Sequence, residues 1–490
     1  MNKEQIPVKR DYKPGKIATA QPSRWRDLVV SLRGFWKEFS QIKYGVAGLI
    51  LLAIFFLMIV FEPWLIPFPE ASERWRDISY WDSNPRNAAP GWINWFARQK
   101  GATHQYLRDP ILEVEEQARF KVIKGTFSYD YRFDLPPTGL SLRGLGKGDL
   151  RLTVRLERPD GQEIELYKDS LRRRNEDELK LPLGGLQAAS TAFEFGQSYD
   201  SAENVKRVNR HMIRPYNIFF ARAQEGILLK PEPLPGEYKI HLDVVAIGQD
   251  AYIKDPYLIV SGRVFGLLGT DNSRRDIWSG VVAGIKWAMF IGLLTAFISV
   301  VIGVTYGVTS AYFGGWIDSM MMRIFEVFVS IPILPVLIVL SAVFKPTIWL
   351  LIFMMTVFFW TGPVRTVRSI GMQIREETYI EAAYALNASH ARIIFKHMVP
   401  QLIPYAFATM ALAVPRAIIF EASISLLGFG DASIVTWGQI LHDAMNGGAI
   451  LQGLWWWVIP PGLTIALMSM TFAFIGFSMD KILNPKLKTR

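Results

Sequence analysis

The sequence predicts an α-helical membrane protein with six transmembrane helices and a β-rich domain inserted between the first helix and the second. Three observations support this fold class. Six charge-poor apolar runs reach the length of a membrane span, the stretch between the first two runs alternates as β-strands do, and basic residues concentrate where one side of the membrane is expected. With 50% apolar and 20% charged residues, the chain of 490 residues is too polar to consist of spans alone.

The N-terminal segment, residues 1–43, is polar and basic and predicts a cytoplasmic location. The apolar run GVAGLILLAIFFLMIV lies within residues 44–66 and predicts the first transmembrane helix. A secretory signal peptide is the alternative, but the preceding tail is too long and no small-residue cleavage pattern follows Trp64. We therefore expect a retained helix with its N-terminus in the cytoplasm.

Residues 67–275 mix charges of both signs and predict an extracytoplasmic β-rich domain. Aromatic and polar residues alternate in TFSYDYRFDL, and apolar residues alternate with others in PGEYKIHLDVVAI. A Pro159-Asp160-Gly161 turn between two further alternating runs predicts a hairpin. We interpret the domain as a β-sandwich. Residues 185–214 lack clear periodicity and predict loop or short helix.

Residues 276–480 contain five further apolar runs, which predict a membrane core. An N-terminus inside the cell agrees with the positive-inside rule, because the β-rich domain then lies outside while the tail 481–490 and several basic loop residues lie inside. The predicted spans are 281–311, 321–344, 346–364, 403–427 and 455–479, and the basic loop residues are Arg365, Arg368, Arg375, Arg392 and Lys396.

The sequence carries no catalytic signature, so we predict that the chain is not an enzyme. It contains no G-x-x-x-x-G-K-[ST] phosphate loop, no H-E-x-x-H and no G-x-S-x-G, its six histidines are scattered, and it has no cysteine. We expect no catalytic, cofactor or metal site. The net charge is +10, but much of the excess lies beside apolar runs, which favours membrane loops over nucleic-acid binding.

Three ionisable residues in or beside apolar runs could carry function, because charge inside a bilayer is costly. For Glu326 and Glu421 the alternatives are a proton or substrate path and structural hydrogen bonds. We favour structural contacts, because proton-driven carriers usually show more such groups and Arg323 lies one turn from Glu326. For His397 we favour a polar contact, because no second metal ligand has a useful spacing.

The segment YIEAAYALNASHARIIFKHMVP, residues 379–400, predicts a polar helix-turn-helix between apolar runs. Asn387 suits the break, because asparagine tolerates the left-handed backbone better than most residues, and Ser389 can cap the second helix. On the inner face, such an element either docks a protein or lies on lipid headgroups as an amphipathic helix. The residues alone leave these two alternatives open.

This segment resembles the EAA loop of ATP-binding-cassette (ABC) importer permeases of the oligopeptide/dipeptide branch, with Asn387 where the family usually has glycine. Five further segments are similar to family segments and follow in the family's order: LLGTDNSRRDIWSGVVAGIK, AYFGGWIDSMMMRIFEVFVSIP, EASISLLGFG, TWGQIL and NPKLK. The resemblance covers about residues 35–66 and 265–490 and leaves the outer domain uncovered.

The resemblance implies a type I ABC importer permease fold in the inner (plasma) membrane and import of peptides. It implies as partners a second permease subunit in a heterodimer, two cytoplasmic ABC ATPase subunits and an extracytoplasmic binding protein, besides membrane lipid. It also implies that the EAA loop, residues 376–402, couples the permease to the ATPase. The residues expected to carry this coupling are Glu381, Ala382, Ala383, Asn387, Arg392, Ile394, His397 and Pro400, and Ala383→Trp is expected to uncouple transport.

Two rival functions are also compatible with the sequence. The same architecture could import oligosaccharides, in which case Trp81, Trp92 and Trp95 of the outer domain could stack on sugars. A membrane receptor with a sensory outer domain is the second rival, although six spans and the EAA loop argue against it. The outer domain either receives the binding protein or only packs against a neighbour.

Overall fold

The computed structural model describes residues 34 and 36–483, except 117 and 118. Most of the predicted N-terminal segment 1–43 and residues 484–490 of the predicted tail 481–490 lie outside the described residues. The first apolar run forms helix α1 (Lys43–Val60), followed by the short helix α2 (Glu62–Leu65). Glu62 at the start of α2 accepts from the Lys286 ammonium, with 3.0 Å between Nζ and Oε1, so this end of the first span is tied to the second.

The inserted β-rich domain is built on one antiparallel sheet in the order β2-β3-β6-β4-β5, with β1 also beside β6. The predicted sandwich of two packed sheets is therefore wrong for the described residues. The strands are β1 (Gln105–Leu107), β2 (Ile111–Glu116), β3 (Phe120–Tyr131), β4 (Gly139–Glu157), β5 (Glu163–Pro182) and β6 (Gly236–Ser261).

Helices replace the second sheet as the cover over the apolar face. The stretch predicted as loop or short helix forms α3 (Leu186–Gln197), α4 (Ala202–Arg207) and a 3-10 turn (Arg210–Met212), and α5 (Pro215–Phe219) follows. Phe220, directly after α5, packs its ring on Tyr238 of β6 with centroids 4.5 Å apart. Alternation in a strand shows that one face needs a cover, but it does not show which element supplies that cover.

The predicted strand faces and hairpin are confirmed. Tyr129, Tyr131 and Tyr238 are at most 1% exposed in the core of the domain. The backbone turns between β4 and β5 at Gly161, whose φ of 80° lies in the left-handed region. Bulges between Gly146 and Gly148 and in the facing part of β6 bend the long strands.

The C-terminal half is helical. Counting α1, the described chain has five helices long and apolar enough to cross a membrane, or six if one bent pair counts as a span. The helices are α6 (Ile277–Phe313), α7 (Gly315–Ser330), α8 (Ile333–Val343), α9 (Ile348–Phe359), α10 (Thr361–Arg375), α11 (Thr378–Ala385), α12 (His390–Arg392), a π-helix (Ile393–Met398), α13 (Val399–Leu426), α14 (Trp437–Asn446) and α15 (Trp455–Leu483).

The bent pair corrects the predicted span at 321–344. α7 and α8 meet at an angle of 74° across residues 331–332, so this stretch is not one straight helix. Pro332 lies at the break and restricts Ile331 to an extended backbone, with φ −76° and ψ 126°. Hydropathy is averaged over a window of residues, so it does not detect this change of direction.

The first helix packs on the last one through glycine. A Cβ on Gly45 of α1 would lie 2.4 Å from Ser478 Oγ, and one on Gly48 would lie 3.0 Å from the Thr471 carbonyl oxygen, both on α15. Residues that follow α2 also join the helical core: Trp75 and Trp81 are buried in one cluster with Ile277. The stretch between α2 and the sheet therefore packs with the membrane helices.

Candidate functional site

The EAA loop (residues 376–402) contains α11, α12, the π-helix and the start of α13. The turn that ends α11 is built on Asn387, whose φ of 60° is in the left-handed region, as predicted. The Ala388 N–H donates to the Ala383 carbonyl at 3.1 Å, and the Asn387 N–H donates to the Tyr384 carbonyl at 2.9 Å. These two bonds form a Schellman motif, which satisfies carbonyls that the end of the helix would leave unpaired.

The second half of the loop begins at Ser389, as predicted. Its Oγ accepts from the Arg392 N–H at 3.4 Å and caps α12. The chain then passes through the π-helix (Ile393–Met398) into α13, where Pro400 stands in the first turn. Pro400 needs no backbone donor at that position, so it begins the helix without breaking it.

Four apolar side chains fasten the loop to the membrane core. Ile380, Ile393, Ile394 and Met398 are each at most 4% exposed and pack with valines of α6 and α10. Ile394, which the family pattern placed among the coupling residues, is therefore an internal anchor. His397 is half-buried, and Ala383 packs partly into the same cluster.

The opposite side of the loop is exposed and mixes apolar with charged residues. Leu386 is 84% exposed, Tyr384 67% and Phe395 57%, which is high for side chains of this size. Their exposed neighbours include Glu381, Ala382, Asn387, Arg392, Lys396 and Pro400. The structure thus separates the predicted coupling residues into an outward group and an inward group.

A groove of about 360 Å³ lies beside this exposed side. Its walls include Tyr312, Phe313 and Arg375, which motif reasoning missed because they come from α6 and α10. The Tyr312 hydroxyl and His390 Nδ1 are 2.6 Å apart, and Arg375 donates to the Ala311 carbonyl at 3.2 Å. The first contact ties the loop to the end of α6, and the second ties the end of α10 to the end of α6.

The two membrane glutamates make the structural contacts favoured by the sequence. Glu326 is 3.8 Å from Arg323 in an exposed ion pair, and buried Glu421 accepts from the Ser425 hydroxyl at 2.7 Å. Among the described residues, no group of three acids or histidines is arranged to hold a metal ion.

The three tryptophans proposed for sugar stacking do not form one platform. Trp81 is 1% exposed and packs against Phe68 and Trp75. Trp92 donates its indole N–H to the Leu267 carbonyl at 2.9 Å, while Trp95 is 81% exposed. Trp81 and Trp92 therefore serve packing between segments.

Ion pairs join the inserted sheet to the helical core. Asp82 accepts from Arg143 of β4 at 3.2 Å and from Lys180 of β5 at 2.6 Å. On the core side, Asp443 of α14 receives Arg76 at 3.0 Å and Arg275 at 2.8 Å. The side chains of Arg143 and Arg275 are 6% and 5% exposed, so loss of their partners would leave a buried charge unpaired. The Asp82 pairs connect the sheet to the segment before it, and the Arg76 pair connects that segment to α14.

Comparisons with known proteins agree with this arrangement. The family described as "Binding-protein-dependent transport system inner membrane component" matches residues 280–489, and "N-terminal TM domain of oligopeptide transport permease C" matches residues 31–90. The dipeptide transport system permease protein DppC of Bacillus subtilis is 36% identical over 221 residues, which cover 45% of this chain and 68% of that protein. The chain belongs to this permease family.

A second relative and one solved structure also match parts of this chain. The oligopeptide transport system permease protein OppC of Haemophilus influenzae is 33% identical over 45% of this chain and 71% of its own length. A solved structure titled "Inward facing conformations of the MetNI methionine ABC transporter" is 21% identical, covers 43% of this chain and 96% of that chain, and has a TM-score of 0.33. The two family matches flank residues 91–279, which contain all six strands of the part of the chain that the structure describes. The permease is thus a multi-pass membrane protein of this family with a β-rich insertion.

Proposed function

We propose that this permease forms half of the pathway by which a binding-protein-dependent ABC importer takes up peptides. The cargo is inferred from relatives that are named dipeptide and oligopeptide permeases. The N- and C-termini lie in the cytoplasm, and the β-rich insertion lies on the outer side. A second permease forms a heterodimer with this one, and an extracytoplasmic binding protein delivers the peptide.

The EAA loop is the contact through which two cytoplasmic ATPase subunits drive the pair of permeases. The observation that carries this proposal is the division of the loop into anchored and exposed sides. Ile380 and Ile393 anchor it by burial against the membrane helices, while Tyr384 and Leu386 face solvent with apolar area that a partner could cover. A rigid element that contacts the motor can transmit its movement, whereas a loosely held one would absorb it.

Substitution of Ala382 tests the docking proposal. Ala382 is exposed, so Ala382→Trp leaves the chain's own packing intact and places a bulky ring at the contact. We expect the variant to insert in the membrane normally and to lose at least tenfold in ATP-driven peptide uptake, a loss equivalent to about 1.4 kcal/mol. Ala383→Trp is less informative, because Ala383 packs inward and its replacement would distort the loop itself.

The matched control is Ala202→Trp, at an exposed helical position of the insertion on the other side of the membrane. Its uptake should equal that of the wild type. Normal uptake and normal ATPase retention by Ala382→Trp would contradict docking at the loop.

We further propose that the insertion helps to receive the binding protein. The observation that supports this proposal is the attachment of the insertion to the rest of the chain. Ion pairs of Asp82 with Arg143 and Lys180 hold the sheet against the segment that packs with the membrane core. A domain held in one orientation can present a surface to a partner that must align with the pathway.

A further inference from the structure

Strand β2 (Ile111–Glu116) is an open edge of the inserted sheet. It pairs with β3 on one side, and no described strand lies on its other side. All six of its residues are exposed. An unpaired strand edge presents a row of backbone donors and acceptors, to which an extended segment can add as a further strand.

The two faces of β2 differ in chemistry. Leu112 and Val114 lie opposite Gly125 and Ile123 of β3, whose side of the sheet is buried. They continue the apolar face of the sheet beyond its helical cover, yet Leu112 is 45% and Val114 55% exposed. A further strand would cover part of this apolar area, which favours its addition.

The other face of β2 carries two acids, Glu113 and Glu115, with Ile111 at the start of the strand. Glu116 ends the apolar face and is 3.1 Å from Lys121 of β3. Glu115 is 3.6 Å from Lys124 of β3, whereas Glu113 has no ion pair with a described residue. A strand added at this edge would satisfy both glutamates best if it carried basic side chains on the same face.

This charge pattern argues against a second copy of the chain as occupant. When two β2 strands pair with their apolar faces on the same side, acids of one copy lie opposite or diagonal to acids of the other. Like charges at these distances are destabilising. The chain's own basic N-terminal segment is also excluded, because the proposed topology places it across the membrane.

We propose that the β2 edge binds an extended segment of a partner protein on the outer side, with apolar residues on one face and basic residues on the other. The segment adds as a seventh strand, continues the apolar layer at Leu112 and Val114, and pairs its cations with Glu113 and Glu115. This proposal rests on the proposed function in one respect only, the location of the insertion on the outer side of the membrane. The strand pairing itself depends neither on the transported cargo nor on the ATPase.

The test measures binding of labelled hexapeptides to the full-length permease in nanodiscs by fluorescence anisotropy. The probes are a Lys-Val repeat, a Glu-Val repeat and a peptide with three lysines followed by three valines. We expect only the Lys-Val repeat to bind. The double variant Glu113→Lys, Glu115→Lys should weaken it by about tenfold, because two attractive cross-strand pairs become repulsive.

Two further variants separate the contributions of the two faces. Val114→Lys places a charge on the apolar face at a position that the fold leaves exposed, and it should abolish binding. The matched control is the double variant Glu165→Lys, Glu176→Lys, because both glutamates are exposed on β5 at the opposite edge of the sheet. This control should bind the Lys-Val repeat like the wild type.

Three results would overturn the proposal: no binding of the Lys-Val repeat, equal binding of both repeats, or unchanged affinity in the Glu113, Glu115 double variant. Wild-type dimerisation that Val114→Lys abolishes would instead identify a second copy as the occupant. The outcome is separable from the proposed function, because Ala382→Trp should leave this peptide binding unchanged.

Discussion

Asn387 is the residue on which the shape of the EAA loop depends. Its left-handed backbone lets the chain reverse at the end of α11 and brings Ala388 beside Ala383. Glycine adopts this conformation without a side-chain penalty, and asparagine tolerates it better than most other residues. The departure from the family's usual glycine therefore preserves the turn.

Substitution at Asn387 should separate backbone conformation from side-chain identity. Asn387→Gly keeps the left-handed turn, so ATP-driven uptake should remain near that of the wild type. Asn387→Val should be strained by about 1–2 kcal/mol, since a β-branched residue is poorly accommodated at positive φ, and uptake and ATPase retention should fall together. Equal activity of the two variants would show that the turn is not needed for coupling.

The two alanines of the EAA motif show where sequence reasoning reaches its limit. The motif predicted a helix, a turn at Asn387 and a cap at Ser389, because these features follow from local backbone preferences. It could not distinguish the outward Ala382 from the inward Ala383, or Ile394 as an anchor, because these roles depend on which membrane helices lie beneath. For the same reason, the sequence of the loop could not predict that Tyr312 and Arg375 line the groove beside it.

At the scale of elements, α7 and α10 are joined by a polar contact. Asp318 of α7 is 7% exposed and accepts from Arg368 Nε of α10 at 2.6 Å, and the Ser310 hydroxyl of α6 also donates to it. Because α8 departs from α7 at the break that contains Pro332, this contact fixes the half of the bent pair that precedes the break. Hydropathy predicted apolar segments here, but neither the bend nor the pair.

Removal of the Arg368 guanidinium should therefore destabilise the contact between α7 and α10. Arg368→Leu leaves a buried carboxylate with the Ser310 hydroxyl, at a cost of about 1–3 kcal/mol, which a thermal unfolding measurement in detergent should detect. The double variant Asp318→Asn, Arg368→Leu should recover part of the loss, because a neutral amide is less costly to bury. The control Arg323→Leu breaks an ion pair whose arginine is 86% exposed, and it should change stability by less than about 0.5 kcal/mol. Equal losses in all three variants would refute the role of burial.

On the scale of the whole molecule, the insertion and the membrane core have separate apolar centres. The sheet and its helices enclose one buried cluster, while Trp75, Trp81 and the membrane helices enclose another. They are connected by polar contacts such as Asp82 with Lys180. The chain enters the insertion near Ala102 and leaves it near Arg263, and these two backbone segments lie side by side. Between these segments the Arg263 N–H donates to the Ala102 carbonyl at 2.8 Å.

This geometry allows the insertion to be excised without stretching the core. Deleting residues 103–262 and joining Ala102 to Arg263 connects two backbone segments that are already hydrogen-bonded. Asp82→Asn in the same chain removes the carboxylate that would lose Arg143 and Lys180.

We expect the shortened permease to insert in the membrane and to retain ATPase subunits, because the helical core keeps its own buried cluster. If the insertion receives the binding protein, peptide uptake in proteoliposomes should need about tenfold more binding protein for half-maximal rate, while the maximal rate is preserved, since only the encounter is weakened. The intact chain carrying Asp82→Asn is the control for the point substitution. If the shortened permease needs no more binding protein than the wild type for half-maximal uptake, the insertion does not receive the binding protein. The insertion would then be a domain that only packs against a neighbour.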